Sequence, residues 1–586
     1  MDAIRIIFSL LSFSQKKNFI KIFFLILVMT ILETFGIALV LPAVKVLVSD
    51  TFYLSINDFF SKFIDVSFDR LQVIIYGLIF ILLYFIFKFL FAIYTIYNQL
   101  NFNYDILVSS SKLLYDGYLN QDYEKYTHQN SSLLVRNVTN LIDKFCALLE
   151  NCFTILTDLT LFIAVVSLLF YIDLVGTSII FGIFSIVSLA YYFGTKKNFN
   201  LWGKLAINYE YLKFKFLYEG LTSLKDIRIS ENEEYFSRNY SNNVSKHGKI
   251  TLIRNFIKIL PKQTYEIIAV LSLVILSLSL ISKNGSMNIF LPTAGLFAVA
   301  AFKILPSGNR LLLAFQNMRF HYQGLKILRK ELDEIHSYKE VQNKNKYEDN
   351  IELKEKILIS NLSFKYKMRD QIILNNVNFE INKNETVGII GESGSGKSTL
   401  MDLIIGLYKP STGVILCDGK NINLNLKSWY KNIGYVPQNI QLFDNSIKMN
   451  IAFGIDENKI DTERIYECLK MTKLDRWVNS LSEGLDTLVG DKGIRISGGQ
   501  RQRIGIARAL YNKPNILFFD ESTSSLDLKT EDELMTEVNT LLKDITKIII
   551  SHRLDTLKNC NRIFLIKEGI LYDSGNYEKI KSIKIK

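Results

Sequence analysis

Nine consecutive residues near the middle of the chain have the composition of a phosphate-binding loop. They are Gly391, Glu392, Ser393, Gly394, Ser395, Gly396, Lys397, Ser398 and Thr399, and they follow the apolar run 387–390. Glycines let backbone amides wrap phosphate oxygens, while the lysine reaches the β- and γ-phosphates and the serine hydroxyl ligates Mg²⁺. Because a strand pattern precedes the loop and a helix pattern follows it, the sequence predicts a site for Mg·ATP.

A second chemical feature is the acidic pair Asp520 and Glu521, which ends the apolar run 516–519. In nucleotide hydrolases with a phosphate-binding loop, an aspartate after such a strand holds Mg²⁺. A carboxylate one residue further along can polarise the attacking water. We therefore expect Asp520 to bind the metal and Glu521 to act as the base.

Two further polar residues follow apolar strands. Gln438 comes after 435–437 and His552 after 548–550. Each can serve the nucleotide site, Gln438 also as a metal ligand, or be an ordinary structural polar residue. Taken alone, neither position separates these readings.

The pentapeptide 496–500 predicts a second grip on phosphate. It contains Ser497, Gly498, Gly499 and Gln500 at the expected start of a helix. Exposed amides and a hydroxyl at a helix start suit a γ-phosphate. Residues 391–398 are expected to hold ATP from the opposite side, so one nucleotide would have two phosphate-binding segments. This predicts a homodimer that closes on two ATP molecules, one at each composite site.

Composition divides the chain of 586 residues into two halves, which is too long for one core. Residues 1–335 are rich in long apolar runs, 336–354 form a charged linker, and 355–586 alternate apolar and charged segments as a soluble α/β domain does. The net charge of +12 is scattered through polar loops without a nucleic-acid-binding motif, so we expect no nucleic-acid partner. The five cysteines form no zinc or disulfide pattern.

Six stretches of the first half are long and apolar enough to cross a bilayer. They are 19–48, 70–98, 146–172, 174–194, 253–282 and 287–314. The long connections 99–145 and 195–252 carry the lysines and arginines, so the positive-inside rule places them, both termini and the ATP site in the cytoplasm. We expect the long connections to be helical hairpins that continue about 30 Å below the membrane. Their tips, 122–131 and 222–231, would dock on the ATPase, the alternative being solvated loops.

Residues 52–66 have apolar positions at helical spacing with polar residues between them. This pattern predicts a short amphipathic helix on the outer face of the membrane. Packing of the same helix against the other spans fits the pattern equally well.

Ionisable residues inside apolar spans are rare and mark functional sites. The cations among them are Lys88, Lys262, Lys303 and Arg310. Lys303 and Arg310 are seven residues apart and share a helix face around 306–308, where we expect a bend. We predict that these cations lack matching carboxylates, Glu33 being the nearest, and bind an anionic substrate. The alternative is that some of them, Lys262 above all, extend to the membrane surface.

The ordered set of motifs resembles that of the ATP-binding cassette (ABC) exporters over the whole chain. The resemblance implies a type I exporter, with a six-helix membrane domain fused to an α/β nucleotide-binding domain. It also implies that Tyr366 stacks on adenine, Gln438 is the Q-loop, Asp527 belongs to the D-loop and His552 is the switch histidine. Ile496 stands where the family usually has leucine.

Within that family the chain looks like the PglK-type flippases for lipid-linked oligosaccharides. The similar stretches are 33–42, 305–310, 436–440 and 442–443. This likeness implies flipping of a polyprenyl-pyrophosphate-linked oligosaccharide across a bacterial inner membrane, with an external helix that meets membrane lipid. Lys88, Lys262 and Lys303 stand where the flippases have arginines, which keeps charge but not bidentate geometry. Export of lipid A, a drug or a peptide remains the alternative, and an ATP-gated channel or regulator is the other class.

Overall fold

A computed structural model describes residues 2–48, 52–55, 58, 69–172, 174–282, 287–344, 350–367, 370–490, 493–521, 536 and 540–583. These residues form two compact units. The first contains residues 1–121 and 126–338, and the second contains Asp122–Lys125 and Lys339–Lys586.

The first unit consists of helices. Its six long helices are α2 with α3, then α4, α7, α8, α10 and α11, and short helices join them. The bounds are α1 Asp2–Leu10, α2 Phe13–Ala38, α3 Val40–Val48, α4 Arg70–Leu119, α5 Tyr123–Thr127, α6 Ser131–Arg136, α7 Ile142–Ile172, α8 Leu174–Thr222, α9 Leu224–Ile229, α10 Glu233–Ser282 and α11 Met287–Lys344.

Four helical stretches among the described residues are long and apolar enough to cross a membrane. They are Phe13–Leu47, Arg70–Leu119, Ser131–Ile172 and Gly295–Ser337. The other two predicted spans lie on α8 and α10, where several side chains fall outside the described set. Helices α4, α8 and α10 have 50, 49 and 50 residues, so each is about 75 Å long. The long connections of the sequence are therefore helical, as predicted, rather than solvated loops.

Three of the sequence-based expectations for the first unit concern residues 52–66, 336–344 and 306–308. The predicted amphipathic helix 52–66 lies mostly outside the described residues. Residues 336–344, predicted as linker, instead belong to α11, because the sequence offers no glycine or proline there to end the helix. Helix α11 is continuous through residues 306–308, and the bend expected there stays a prediction.

Small residues allow close helix approach in the first unit. A Cβ on Gly203 of α8 would lie 2.2 Å from the Phe320 carbonyl oxygen, and one on Gly308 would lie 2.2 Å from the Phe184 ring. Phe320 packs in a buried cluster with Phe199 and Ile250. Helices α8, α10 and α11 are thus locked together at this level.

The second unit is built around a six-stranded sheet of order β10-β9-β3-β8-β7-β6. All pairings are parallel except that of β9 with β10. A four-stranded antiparallel sheet of order β2-β1-β4-β5 completes it. The strands are β1 Lys356–Phe364, β2 Leu374–Asn382, β3 Thr386–Gly391, β4 Thr412–Cys417, β5 Lys420–Asn421, β6 Ile433–Val436, β7 Ile516–Asp520, β8 Thr546–Ile550, β9 Arg562–Lys567 and β10 Ile570–Gly575.

Both faces of the six-stranded sheet are covered, which is why its strands read as continuous apolar runs. Successive residues of β7 divide between two cores: Leu517 and Phe519 pack on one side, Ile516 and Phe518 on the other. The helices of this unit are α12 Lys397–Ile405, α13 Leu426–Tyr430, α14 Ile447–Ile451, α15 Thr462–Met471, α16 Asp475–Asn479, α17 Gly498–Tyr511 and α18 Tyr577–Ser582. The apolar runs 387–390, 516–519 and 548–550 lie in β3, β7 and β8, and a helix follows the phosphate loop, as predicted.

The tetrapeptide Asp122–Lys125 groups with the second unit. Glu124 accepts a hydrogen bond from the Lys367 backbone amide at 3.1 Å and pairs with the Lys367 ammonium at 3.0 Å. The Tyr123 ring packs edge-on against Tyr408, with centroids 5.7 Å apart. The first predicted hairpin tip, 122–131, thus contributes four residues to the second unit. Residues 222–231, the other predicted tip, lie in the first unit.

Candidate functional site

The carboxyl ends of four parallel strands bring the predicted catalytic residues together. Strand β3 leads into the phosphate loop, β7 ends at Asp520, and Gln438 and His552 follow β6 and β8 by two residues. Ligand sites of parallel α/β sheets lie at this edge, because helix starts and loops converge there. Residues that are 80 or more positions apart in sequence therefore meet in one place.

The phosphate loop, residues 391–398, has the backbone shape that its glycines predict. Gly396 has φ of +100°, and a Cβ on Gly391 would lie 2.2 Å from the Ile566 carbonyl oxygen, so neither position tolerates a side chain. Lys397 Nζ donates to the carbonyl oxygens of Gly391 and Glu392 at 2.9 and 2.8 Å. Burial lowers the pKa of Lys397, and Glu521 opposes this shift.

Glu521 is held by both of the polar residues that the sequence left ambiguous. Gln438 Nε2 donates to Glu521 Oε2 at 3.1 Å, and His552 Nε2 lies 2.5 Å from Glu521 Oε1. The Glu521 backbone has φ of +45°, and its amide donates to the Ile550 carbonyl oxygen at 3.1 Å. A non-glycine residue in this region stores strain of the kind found at functional sites. The geometry favours the functional reading of Gln438 and His552.

Asp520 lies beside Glu521 and forms, with Asp402, a second set of acidic side chains at this edge. Burial and the neighbouring Glu521 raise the pKa of Asp520, whose Oδ2 accepts a hydrogen bond from the Tyr435 hydroxyl at 3.3 Å. Burial and Asp520 raise the pKa of Asp402, on α12, to about 7. The sequence did not single out Asp402 or Tyr435. Asp402 follows Ser398 of the phosphate loop by four residues, and Tyr435 precedes Gln438 by three.

These residues fit Mg·ATP by the chemistry of their donors. Ser398 is exposed at the start of α12, and Asp520 and Gln438 add oxygen ligands of the type that Mg²⁺ prefers. The Ser395 hydroxyl is buried inside the loop without a hydrogen-bond partner. Within the described residues no three His, Cys, Asp or Glu side chains form a metal cluster. Bound there, Mg²⁺ would supply charge stabilisation to the β- and γ-phosphate oxygens.

Ser497 caps the start of α17, as the sequence predicts. Its hydroxyl accepts from the Gln500 amide at 3.3 Å, while the Ser497 amide donates to Gln500 Oε1 at 2.9 Å. Ser497 and Gly498 are exposed. The fourteen-residue helix α17 therefore presents its positive end outward, where an anion would be stabilised.

Tyr366 lies beside the phosphate loop. Its hydroxyl is 3.0 Å from the Thr399 hydroxyl, and its ring packs edge-on against Phe364 and Tyr408. This position is compatible with the adenine-stacking role, which stays a prediction. The predicted D-loop residue Asp527 lies outside the described residues.

The first unit contains a cavity of about 420 Å³ lined by charged side chains. Glu33 accepts hydrogen bonds from Lys88 at 2.8 Å and from Lys303 at 3.0 Å. Lys88 is buried, whereas 42% of the Lys303 side chain is exposed. Residues that line the cavity include Thr30, Glu33, Asp158, Phe302, Lys303 and Arg310.

Arg310 has a carboxylate partner that the sequence analysis did not assign. Its Nε donates to Asp158 Oδ2 at 2.9 Å and its Nη2 to Asp158 Oδ1 at 2.5 Å, while the Ser307 hydroxyl also donates to Asp158. The prediction that the intramembrane cations lack matching carboxylates was therefore wrong. It failed because α2, α4, α7 and α11 meet at a depth that sequence spacing does not reveal.

The corrected cluster keeps a positive balance. Three cations, Lys88, Lys303 and Arg310, face two carboxylates, Glu33 and Asp158, which leaves one positive charge. Lys262 is exposed on α10 and is not among the residues that line this cavity. Its predicted place beside the other cations is not observed.

We expect Arg310→Gln to destabilise the protein more than Asp158→Asn does. Asp158 is 3% exposed and Arg310 is 53% exposed, so loss of the arginine strands a buried carboxylate. Loss of a partner from a buried pair costs ~3–5 kcal/mol, and less here because the guanidinium is half-exposed. Thermal unfolding in one detergent tests this order. Equal shifts in melting temperature would contradict it.

Comparison with known proteins supports the ATPase half most directly. Residues 374–524 match the family model for ABC transporters. The chain is 42% identical over 230 residues to the leukotoxin translocation ATP-binding protein LktB of Mannheimia glucosida. It is 41% identical over 234 residues to the alpha-hemolysin translocation ATP-binding protein HlyB of Escherichia coli O157:H7. These matches cover 39% and 40% of this chain but only about a third of each relative, 32% and 33%.

The whole chain is similar in fold to a solved transporter. A bacterial Atm1-family ABC exporter with ATP bound superposes with a TM-score of 0.73 and 19% sequence identity, over 93% of this chain and 95% of that one. The chain therefore has an ABC exporter fold: a helical domain followed by a nucleotide-binding domain. The residues that match the ABC transporter family model all lie in the second unit.

Proposed function

We propose that the chain is an ATP-driven exporter that works as a homodimer in a bacterial inner membrane. The observation that carries this proposal is the meeting of Lys397, Asp520, Glu521, Gln438 and His552 at one sheet edge. Residues suited to hold Mg·ATP and to activate water are present together in one domain, and the second contact with phosphate would come from the other copy. A non-transporting channel or regulator is expected to have lost some of these residues. All five are retained here, which favours the exporter.

A homodimer follows from the position of the second phosphate grip. Within one chain the hydrogen bonds of Ser497 go to its own helix start, where Ser497 and Gly498 are exposed. Symmetric pairing would place each helix start on the nucleotide of the other copy. Hydrolysis would then open the dimer, and this motion would drive the helical domain.

The charged cavity indicates the class of substrate. One uncompensated positive charge in an apolar helical domain favours an anionic group, and both Lys303 and Arg310 expose part of their side chains. An amphiphile with a phosphate-bearing headgroup combines such a group with a lipid tail. We infer that the substrate is a polyprenyl-pyrophosphate-linked oligosaccharide, moved from the cytoplasmic to the outer leaflet. The carboxylates Glu33 and Asp158 would hold the cations in place until the headgroup replaces them.

The sign of the substrate charge is testable with one ion pair. Asp158→Asn frees Arg310 and adds one positive charge, whereas Arg310→Gln removes the guanidinium. For a lipid pyrophosphate, we expect Arg310→Gln to raise the KM roughly tenfold or more, because charged hydrogen bonds are lost. Asp158→Asn should lower the KM or leave it unchanged. Flipping of a labelled lipid-pyrophosphate glycan in vesicles, expressed per ATP hydrolysed, is the measurement.

Arg310→Lys is the matched control, because it keeps charge but not the bidentate geometry. An intermediate KM is expected for it. A lower KM for Arg310→Gln together with a higher KM for Asp158→Asn would mean that the cavity takes a cation. If neither variant alters transport, the cavity is not the substrate site and the flippase proposal fails.

Export of a polypeptide is the second candidate, favoured by the names of the relatives, which are toxin translocation proteins. Their likeness is confined to about two fifths of this chain. Stimulation of the ATPase by an unfolded peptide, without stimulation by a lipid-pyrophosphate glycan, would favour this candidate over the flippase.

A further inference from the structure

A second set of cations lies in the first unit, away from the charged cavity. Arg254 and Lys258 are one turn apart on α10, and His321 lies on α11; we name these three residues the basic cluster. The Arg254 guanidinium lies 4.2 Å from the centre of the Phe320 ring, which packs edge-on against His321 at 5.1 Å. The positive charges of Arg254 and Lys258 lie close enough to repel each other, and both lie close enough to His321 to interact with it electrostatically. None of the three lines the cavity of Arg310.

The basic cluster lacks anionic partners. Neither Arg254 nor Lys258 forms an ion pair with any residue in the described part of the chain. Arg254 Nε and His321 Nδ1 are buried without a hydrogen-bond partner. Lys144 also acts on His321, but the nearby carboxylate of Glu210 is already paired with Lys144. Neighbouring cations with buried, unpaired donors are unfavourable unless an anion joins them.

Packing around Phe320 limits the contact of the basic cluster with water. Gly203 brings α8 within contact distance of the Phe320 backbone, and Phe320 is 6% exposed. Arg254 stacks on that anchored ring, and Lys258 is half-buried. Packing against the buried Phe320 ring therefore fixes the position of the Arg254 guanidinium.

The place of the basic cluster along the chain indicates where its anion would come from. Arg254 and Lys258 are among the first residues of the predicted span 253–282, next to the connection that the positive-inside rule places in the cytoplasm. This is the level of the lipid phosphates, and basic pockets between helices at this level bind anionic headgroups.

We propose that Arg254, Lys258 and His321 bind the phosphate group of a headgroup in the cytoplasmic leaflet. Arg254 would supply planar donors, Lys258 a point charge and the neutral His321 imidazole a donor at its buried Nδ1. The site is distinct from the transport cavity, and it does not depend on the proposed substrate. The phosphate belongs either to a membrane phospholipid or to free anion in the cytoplasm.

Lipid binding to the delipidated, full-length protein in detergent tests this site. Phosphatidylglycerol is titrated into wild type and Arg254→Gln/Lys258→Gln, and bound lipid is counted by native mass spectrometry. We expect the double variant to bind the lipid roughly tenfold more weakly, since two charges near the phosphate are lost. The matched control is Arg238→Gln/Lys249→Gln, which removes the same charge from exposed positions on the same helix.

Inorganic phosphate, added as a competitor, separates the two sources. Displacement of the lipid shows that the site takes the phosphate group alone, while retention shows that a lipid is the ligand. Should the double variant fail to remain monodisperse, Lys258→Gln alone is expected to weaken binding in the same direction. Equal binding by wild type and either of these variants, or equal losses in test and control, would overturn the proposal.

Discussion

Glu521→Gln should bind ATP and lose most of its hydrolysis. Glutamine keeps the shape of the side chain and its contacts with Gln438 and His552, but it cannot accept a proton from water. Removal of a general base reduces turnover by ~10²–10⁴-fold. Because Lys397 and Asp520 remain, nucleotide affinity should be retained. Release of phosphate and retention of labelled ATP, measured on the same purified sample, check both halves of the expectation.

Asp402→Asn is a useful comparison for this variant. It removes a buried acid of the same site, one that touches neither the water nor the metal in the proposed arrangement, so its effect on turnover should be far smaller than that of Glu521→Gln. A wild-type rate in Glu521→Gln would show that another group activates water. His552, which lies 2.5 Å from Glu521, would then be the first residue to test.

Mixing two inactive variants should restore hydrolysis. Lys397→Ala destroys the phosphate loop and Ser497→Arg blocks the start of α17, so each homodimer has two broken sites. Each is expected to lose ~100-fold or more, the effect of removing a preorganised phosphate donor. A dimer of one copy of each has one site with both defects and one with neither. Purified by two different tags, it should hydrolyse ATP at roughly half the wild-type rate.

Two controls make the mixing experiment decisive. A single chain that carries both substitutions, paired with wild type, has no intact composite site and should stay inactive. A disulfide between cysteines placed at 497 and in the phosphate loop should form only between copies. If mixed dimers never exceed the homodimers while this crosslink forms, both sites must fire together; if the crosslink is absent, the symmetric arrangement is wrong.

Much of the ATPase domain is readable from the sequence because its chemistry is local. Residues 391–398 specify a turn through glycine φ values and place Lys397 six residues after Gly391 on the same loop. Apolar runs that end in Asp520 or precede His552 read as buried strands. The phosphate loop and the acidic pair after an apolar run were enough to predict that Lys397 and Asp520 serve one nucleotide.

The roles of Gln438 and His552 needed the tertiary structure. Each looked like an ordinary polar residue after a strand, and only the sheet order β8-β7-β6 puts both against the Glu521 carboxylate. The left-handed backbone at Glu521 is likewise a product of the fold, because nothing in the residue type requires it.

The helical domain marks the limit of sequence reasoning. Hydropathy identified its apolar stretches, since crossing hydrocarbon requires about 20 apolar residues whatever their neighbours. It could not pair Arg310 with Asp158, or Lys88 and Lys303 with Glu33, because pairing depends on which helices touch and at what depth. The sequence by itself predicted an ATP site and a set of charged residues within apolar helices. Only helix packing decided which charges neutralise one another and which are left for a ligand.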